Sequence, residues 1–393
     1  MTTTTDPFDA RARDILRHSP MIDGHNDLAY ALRERAGLAT SSVDLRQPQT
    51  GLDTDIPRLR LGAVGGQFWS VWVPAALAEP DALRMSLEQM DVVHGFIGRY
   101  PETFALATTA GEVDTAFAGG RIASLLGLEG GSMIGSSLPA LRNAYARGVR
   151  YMTLTHWLTT RWADAATDAP RHGGLTAFGR EVVREMNRLG MLVDLSHVSP
   201  TTMAVALDVT EAPVIFSHSG ALAVCDHPRN VPDEILRRVP GNGGVVMAVF
   251  LSGFVSQGFR DHLAGAEEVE ADDPTARKAW MAAHPFPNAT LSQVADHIDH
   301  LRELAGIDHV GIGSDFDGGE SLPDGLEDVS RFPALLAELL RRGHSDDEVR
   351  GIAGRNILRV MRDVEAVAAR LQATRPPSEA TIEELDGPDP GGS

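Results

Sequence analysis

His25 and Asp27 stand two residues apart at the end of an apolar run that begins at Met21. In an extended strand that spacing puts both side chains on one face. An imidazole and a carboxylate so placed can serve one metal ion; a hydrogen-bonded His–Asp pair is the plainer reading. Glu129 closes another apolar run, Ile122–Gly130. A carboxylate there is costly unless paired or metal-bound, and an ion-paired acid or a helix cap would meet the same need. The glycines around it admit close approach by another group. His197 follows Ser196, and His218 follows Ser217, each at the end of an apolar run. One buried histidine is ordinary core; two at equivalent positions are a stronger signal. His156 ends a further run, and Asp315 and Asp317 end another with the same two-residue spacing.

Eight strand-length runs share this pattern: Met21–Asp27, Gly66–Pro74, Ile122–Gly130, Tyr151–Trp157, Met191–Val198, Pro213–Gly220, Gly244–Ser252 and His309–Asp317. Helical patterns separate several of them. Thr176–Leu189 carries Phe178, Val182, Met186 and Leu189 on one face, with Gly190 placed to end it. Leu291–Leu304 repeats the pattern, and Ser345–Glu348 reads as a capping box before a long helix. Strands alternating with helices imply a parallel sheet. Eight of them imply a (β/α)8 TIM-type barrel of the metal-dependent hydrolase type, with an open doubly wound sheet as the alternative.

In such a barrel the chemistry sits at the C-terminal ends of the strands. Six of the eight runs end in His, Asp or Glu, and that convergence outweighs any single motif. His25, His197 and His218 with Asp27 and Glu129 suit a binuclear site for zinc or a similar ion. Five ligands serve two metals only if one is shared. A carboxylate can bridge and an imidazole cannot, so Glu129 is the natural bridge. The only lysine, Lys278, lies outside every run, which argues against a carbamylated-lysine bridge. No CxxC pair, GxSxG elbow or P-loop lysine offers a competing site. The other histidines read as structural or solvated, with His172 and His227 the open cases, and Asp317 reads as a supporting group. Trp69, Trp72, Trp157 and Trp162 could line the mouth, core packing being the safer reading for Trp69 or Trp72.

The 393 residues, 43% apolar and 23% charged, fit a soluble globular protein. Residues 1–372 read as one barrel with a short N-terminal extension, and 373–393, rich in Pro, Gly and acid, as a disordered tail. Gly253–Asn288 reads as a long irregular loop over the mouth. A net charge of −19 argues against nucleic acid and anionic membranes as partners. No segment resembles a signal peptide or a transmembrane helix, and Cys225 is the only cysteine. The cytoplasm is the default location.

Together the motifs resemble the renal or membrane dipeptidase family, the M19 metallopeptidases of the amidohydrolase superfamily. The matching stretches run in order: Ile22–Leu28, Gln67–Ser70, Leu128–Gly131, Tyr151–His156, Gly174–Thr176, Val193–Ser199, Val214–Ser219, Arg229–Asp233 and Gly311–Gly318. The resemblance implies a zinc-dependent dipeptidase. Two Zn2+ would share Glu129, one held by His25 and Asp27, the other by His197 and His218, with a metal-bridging hydroxide as the nucleophile. It also implies roles that spacing does not supply. His156 would contact the substrate carbonyl or oxyanion, Arg229 would hold the substrate's C-terminal carboxylate, and Asp315 would carry the proton. L,D-dipeptides would be among the substrates. Animal relatives are secreted, disulfide-linked and lipid-anchored; none of that carries over, though a homodimer formed by packing stays compatible. An N-acyl-D-amino-acid deacylase on the same metals is the nearest alternative. A non-catalytic small-peptide or metal-binding protein is the alternative from another class, and it has no use for a proton carrier.

Overall fold

The computed structural model describes residues 6–270, 279–280, 282–285, 287–319 and 321–388. Nine strands form: β1 Met21–Asn26, β2 Val64–Val71, β3 Phe104–Leu106, β4 Ile122–Glu129, β5 Val149–Thr153, β6 Leu192–Asp194, β7 Ile215–Phe216, β8 Val245–Ala248 and β9 Val310–Ile312. All pair in parallel, and eight close a barrel in the order β1, β2, β4, β5, β6, β7, β8, β9. Asp23 opposite Ile312 closes the ring. The expected (β/α)8 barrel is therefore the fold, and each of the eight apolar runs supplies one of its strands.

The ninth strand, β3, was not expected. It is three residues long, and it pairs Phe104 with Ile122 at the start of β4, on the edge that β5 takes over from Leu126 onward. So short a run, with Phe104 its only buried residue, leaves no alternation to read.

The helices between strands begin and end where local chemistry dictates. Thr176 caps Ala177–Leu189 by accepting from the Gly179 N–H, and Gly190, at φ 87°, ends it in the left-handed conformation. Thr290 and Gln293 form a capping box at Leu291–Ala305, whose Val294, Ile298 and Leu301 are buried. The Ser345 box opens Asp346–Arg350, which runs on through a π-turn into Asn356–Gln372.

Two expectations change. Gly253–Asn288 is not irregular throughout, because Gln257–Glu270 is helical; Lys278, further along it, lies outside the described residues. The supposed disordered tail contains Ile382–Asp386, a helix with its own capping box between Thr381 and Glu384. Ile382 is buried, and the Phe178 N–H donates to Asp386 at 3.2 Å. Buried apolar surface and a satisfied cap outweigh the Pro and Gly content around it. Among the described residues no helix is long and apolar enough to cross a membrane.

Candidate active site

His25 lies within β1 and Glu129 closes β4, but other strands stop short of the chemistry. β6 ends at Asp194 and β7 at Phe216, so His197 and His218 lie on the loops just beyond. Asp315 likewise follows β9, and His156 follows β5. His197 and Asp315 take φ of 68° and 67°, a region that costs most side chains of order 1–3 kcal/mol. The turns are held by backbone hydrogen bonds, Ala166 N–H to His197 O at 2.8 Å and Asp315 N–H to His25 O at 3.1 Å.

These side chains converge. His25 Nε2 is 3.2 Å from Asp27 Oδ2, 3.2 Å from Glu129 Oε2 and 3.8 Å from Asp315 Oδ1. On the other oxygen of the same carboxylate, Glu129 Oε1 is 2.9 Å from His197 Nε2, 3.5 Å from His218 Nε2 and 3.6 Å from His156 Nε2. His197 and His218 bring their Nε2 atoms to 3.0 Å. Seven residues predicted from strand ends thus meet at one point, all of them buried. Arg229 lies beside them, its Nη2 donating to the His218 carbonyl at 3.3 Å. It is 1% exposed, and its Nε and Nη1 find no partner.

Supporting residues that the sequence reading passed over hold this cluster. The Tyr151 hydroxyl is 2.7 Å from His25 Nδ1. It reaches that position because residue 127 is glycine; a Cβ there would stand 2.0 Å from the Tyr151 ring. Gly131, beyond Glu129, similarly admits the Trp162 ring, which would lie 2.4 Å from a Cβ. Asp194 accepts from the Ser217 hydroxyl at 2.6 Å, and Ser217 Oγ is 2.8 Å from His218 Nδ1. A hydroxyl that donates to a carboxylate can only accept from the imidazole. His218 therefore carries its proton on Nδ1 and leaves Nε2 as a free lone pair. Ser70 donates to Glu129 Oε2 at 3.0 Å. Asp23 accepts from Gln67 Nε2 at 2.9 Å and from the Ser314 hydroxyl at 2.7 Å, pinning β1 to β2 and β9.

Burial and crossed charges set the protonation states. Burial pushes His197 and His218 well below the usual imidazole range, and pushes His156 down to about 4. Burial opposes the charged form of Glu129, but the imidazoles around it hold its carboxyl well below the ordinary range. Burial raises Asp315 well above its usual value; His25 opposes this, and the Asp27 and Glu129 charges add to it. Arg229 is lowered to about 10 by burial and remains a cation at neutral pH.

The open cases resolve by geometry. His227 Nδ1 accepts from the Arg229 N–H at 3.1 Å, and its ring packs on Phe254 at 4.4 Å. His172 bonds the Thr160 carbonyl at 3.0 Å, away from the cluster. Asp317 exchanges bonds with Asp53, accepting from its N–H at 2.7 Å and donating back at 2.9 Å. Trp69 and Trp162 are core, whereas Trp72 and Trp157 line a pocket of about 250 Å3 over the cluster. Trp72 Nε1 lies 3.2 Å from each ring nitrogen of His156. Of the described residues in 253–288, Phe254 alone lines that pocket.

A parallel barrel whose mouth gathers four imidazoles and three carboxylates is the scaffold of a metal-dependent hydrolase. The chain belongs to the membrane dipeptidase family, peptidase family M19, whose family model matches residues 9–375. It is a metallo-dipeptidase, a hydrolase acting on peptide bonds. Dipeptidase verJ of Clonostachys rogersoniana is 42% identical over 376 residues, spanning 93% of this chain and 89% of that one. Among solved structures, the probable dipeptidase PvdM from Pseudomonas aeruginosa superposes with a TM-score of 0.80 at 22% identity, covering 92% of this chain and 99% of that one. A metallo peptidase from Rhodobacter sphaeroides, liganded with a phosphinate mimic of L-Ala-D-Ala, gives a TM-score of 0.75 at 25% identity, with 88% and 99% covered.

Proposed function

We propose that the protein hydrolyses dipeptides, L,D-dipeptides among them, at two zinc ions that share Glu129. His25 and Asp27 would hold one ion, and His197 and His218 the other. One observation carries this reading: Glu129 divides its oxygens, Oε2 toward His25 at 3.2 Å and Oε1 toward His197 at 2.9 Å. The donors fit such ions. His25 Nε2 is buried without a hydrogen-bond partner, and two ligands bound at about 2.1 Å to a tetrahedral zinc stand roughly 3.4 Å apart. The 3.2 Å between His25 Nε2 and Asp27 Oδ2 is close to that spacing.

When bound, the ions would acidify a water molecule and polarise the scissile carbonyl. The chain's own side chains supply the rest. Arg229 presents two unpartnered nitrogens in a buried setting, which suits a fork onto the substrate's C-terminal carboxylate. An anchor one residue beyond the scissile bond favours dipeptides over longer chains. His156, kept neutral by burial, can donate to the developing oxyanion without bringing a second buried charge. Asp315 takes the proton of the attacking water and gives it to the leaving amine, a transfer helped by its raised pKa. Trp72 and Trp157 narrow the pocket and restrict water. The only cysteine, Cys225, is free, which suits a cytoplasmic setting.

The test is a panel of L,L-dipeptides, L,D-dipeptides and N-acyl-D-amino acids, given to zinc-loaded protein with metal content measured in parallel. Two equivalents of zinc and preferential release of free amino acids from dipeptides are expected. Faster cleavage of the N-acyl compounds would make the protein a deacylase, and one tightly bound ion would remove the bridging role of Glu129.

A further inference from the structure

The catalytic pocket is small for a dipeptide that carries a long side chain, but a larger space adjoins it. A chamber of about 910 Å3 opens between the loops after β2 and β5, against about 250 Å3 over the cluster itself. Pockets that take small organic ligands run from roughly 300 to 1,000 Å3. His156 is the only described residue that lines both spaces, so the two meet at its ring.

Barrel topology says which end of a substrate would reach it. The strand order places β2 diametrically across the ring from β7. Arg229 lies on the loop after β7, whereas Ala75 and Leu77, on the loop after β2, line the chamber. A dipeptide held by its carboxylate on Arg229 therefore points its N-terminal residue across Glu129 toward the chamber.

The outer wall is built by the C-terminal segment. Ile382 and Asp386 line the chamber. The segment is fastened to the barrel by the Phe178–Asp386 bond, by Arg142 donating to the Ser378 carbonyl at 3.0 Å, and by Arg161 at 3.7 Å from Glu383. The lining is mixed: Leu77, Leu158 and Ile382 are apolar, while Ser132, Thr160 and Arg171 bring polar groups. Such a surface suits a long side chain with an apolar stem and a polar end.

We propose that this chamber is the subsite for a large side chain on the dipeptide's N-terminal residue, and that residues 376–388 are its wall. The proposal rests on the dipeptidase reading above. Its test compares Ala-Gly with Nε-dansyl-Lys-Gly on the zinc-loaded, full-length enzyme. The long substrate should be cleaved with a kcat/KM no lower than that of Ala-Gly. Ala75→Trp, which fills the chamber, should lower kcat/KM for the long substrate at least tenfold and change Ala-Gly less than twofold. Leu158→Trp, at an exposed side chain (43%), gives the same block should Ala75→Trp fail to fold. Deleting residues 376–393 should raise KM for the long substrate at least tenfold and spare Ala-Gly. Poor cleavage of the long substrate by the unaltered enzyme, or variants that move both substrates equally, would overturn the chamber while leaving the dipeptidase standing. No cleavage of either substrate would instead bring down the dipeptidase reading and the chamber with it.

Discussion

The Tyr151 phenol stands 2.7 Å from Nδ1 of His25, inside the barrel and wholly buried. It fixes the ring so that Nε2 faces Asp27 and Glu129. Partners of this kind set ligand orientation and basicity, and their loss typically weakens metal affinity by roughly 10–100-fold. Tyr151→Phe keeps the ring that fits against Gly127 and removes only the hydroxyl. We expect zinc affinity, measured by chelator competition, to fall within that range while kcat at saturating zinc stays within a few-fold. Unchanged affinity would make Tyr151 a packing residue alone.

Arg229 makes a second, separable prediction. Two of its nitrogens are buried without partners, a costly state that a substrate carboxylate would relieve. Truncating one partner of a buried charge pair typically costs about 2–5 kcal/mol. Arg229→Ala should therefore lower kcat/KM for free dipeptides by two to three orders of magnitude. Arg229→Lys should recover only part of this, because an ammonium cannot fork. A C-terminally amidated dipeptide, already poor with the unaltered enzyme, should lose far less. Equal losses for acid and amide would exclude the carboxylate anchor.

Much of this site was legible in the sequence because metal-binding chemistry uses few residue types and barrels place them at strand ends. His25, Asp27, Glu129, His156, His197, His218 and Asp315 each follow an apolar run, and the apolar runs mark the strands. The positioning residues were hidden for a physical reason. Tyr151 and Asp194 lie within strands, where an aromatic or a hydrogen-bonded acid looks like core. Their roles depend on residues from other strands, Gly127 on neighbouring β4 and His25 on β1 for one and Ser217 just past neighbouring β7 for the other, and such relations span strands. The strand ends were placed too late because the apolar character continues past the sheet. Leu195, just past β6, is buried like a strand residue, yet the backbone turns out through the positive φ of His197. The C-terminal helix had a readable signal in Thr381 and Glu384, masked by the Pro and Gly on either side.

Metal removal should act on stability as well as on turnover. The cluster crowds Asp27, Glu129 and Asp315 within 3.8 Å of one imidazole, His25. Binding that favours the folded state adds about 4 kcal/mol when free metal is 1,000 times its dissociation constant. Chelator-treated protein should lose activity and melt several degrees lower in calorimetry, with zinc restoring both. A melting temperature indifferent to chelation would mean that these residues do not hold a tightly bound ion.

Asp315 allows the sharpest separation of chemistry from structure. Its φ of 67° disfavours most side chains, but asparagine tolerates the left-handed region about as well as aspartate. Asp315→Asn should therefore keep the turn, including the bond from its N–H to the His25 carbonyl. It loses the ability to accept and return a proton. General acid–base groups typically contribute roughly 10²–10⁴ in rate, so kcat should fall by that factor. Zinc content and KM should stay near those of the unaltered enzyme if the proposed ligands are His25, Asp27, Glu129, His197 and His218, because those side chains and Arg229 are unchanged. Loss of zinc would make Asp315 a ligand, as its place beside His25 and Asp27 allows. Asp315→Ala would confound the result, since it adds backbone strain to the lost carboxylate. A near-normal kcat in Asp315→Asn would assign the proton transfer to another group at the mouth.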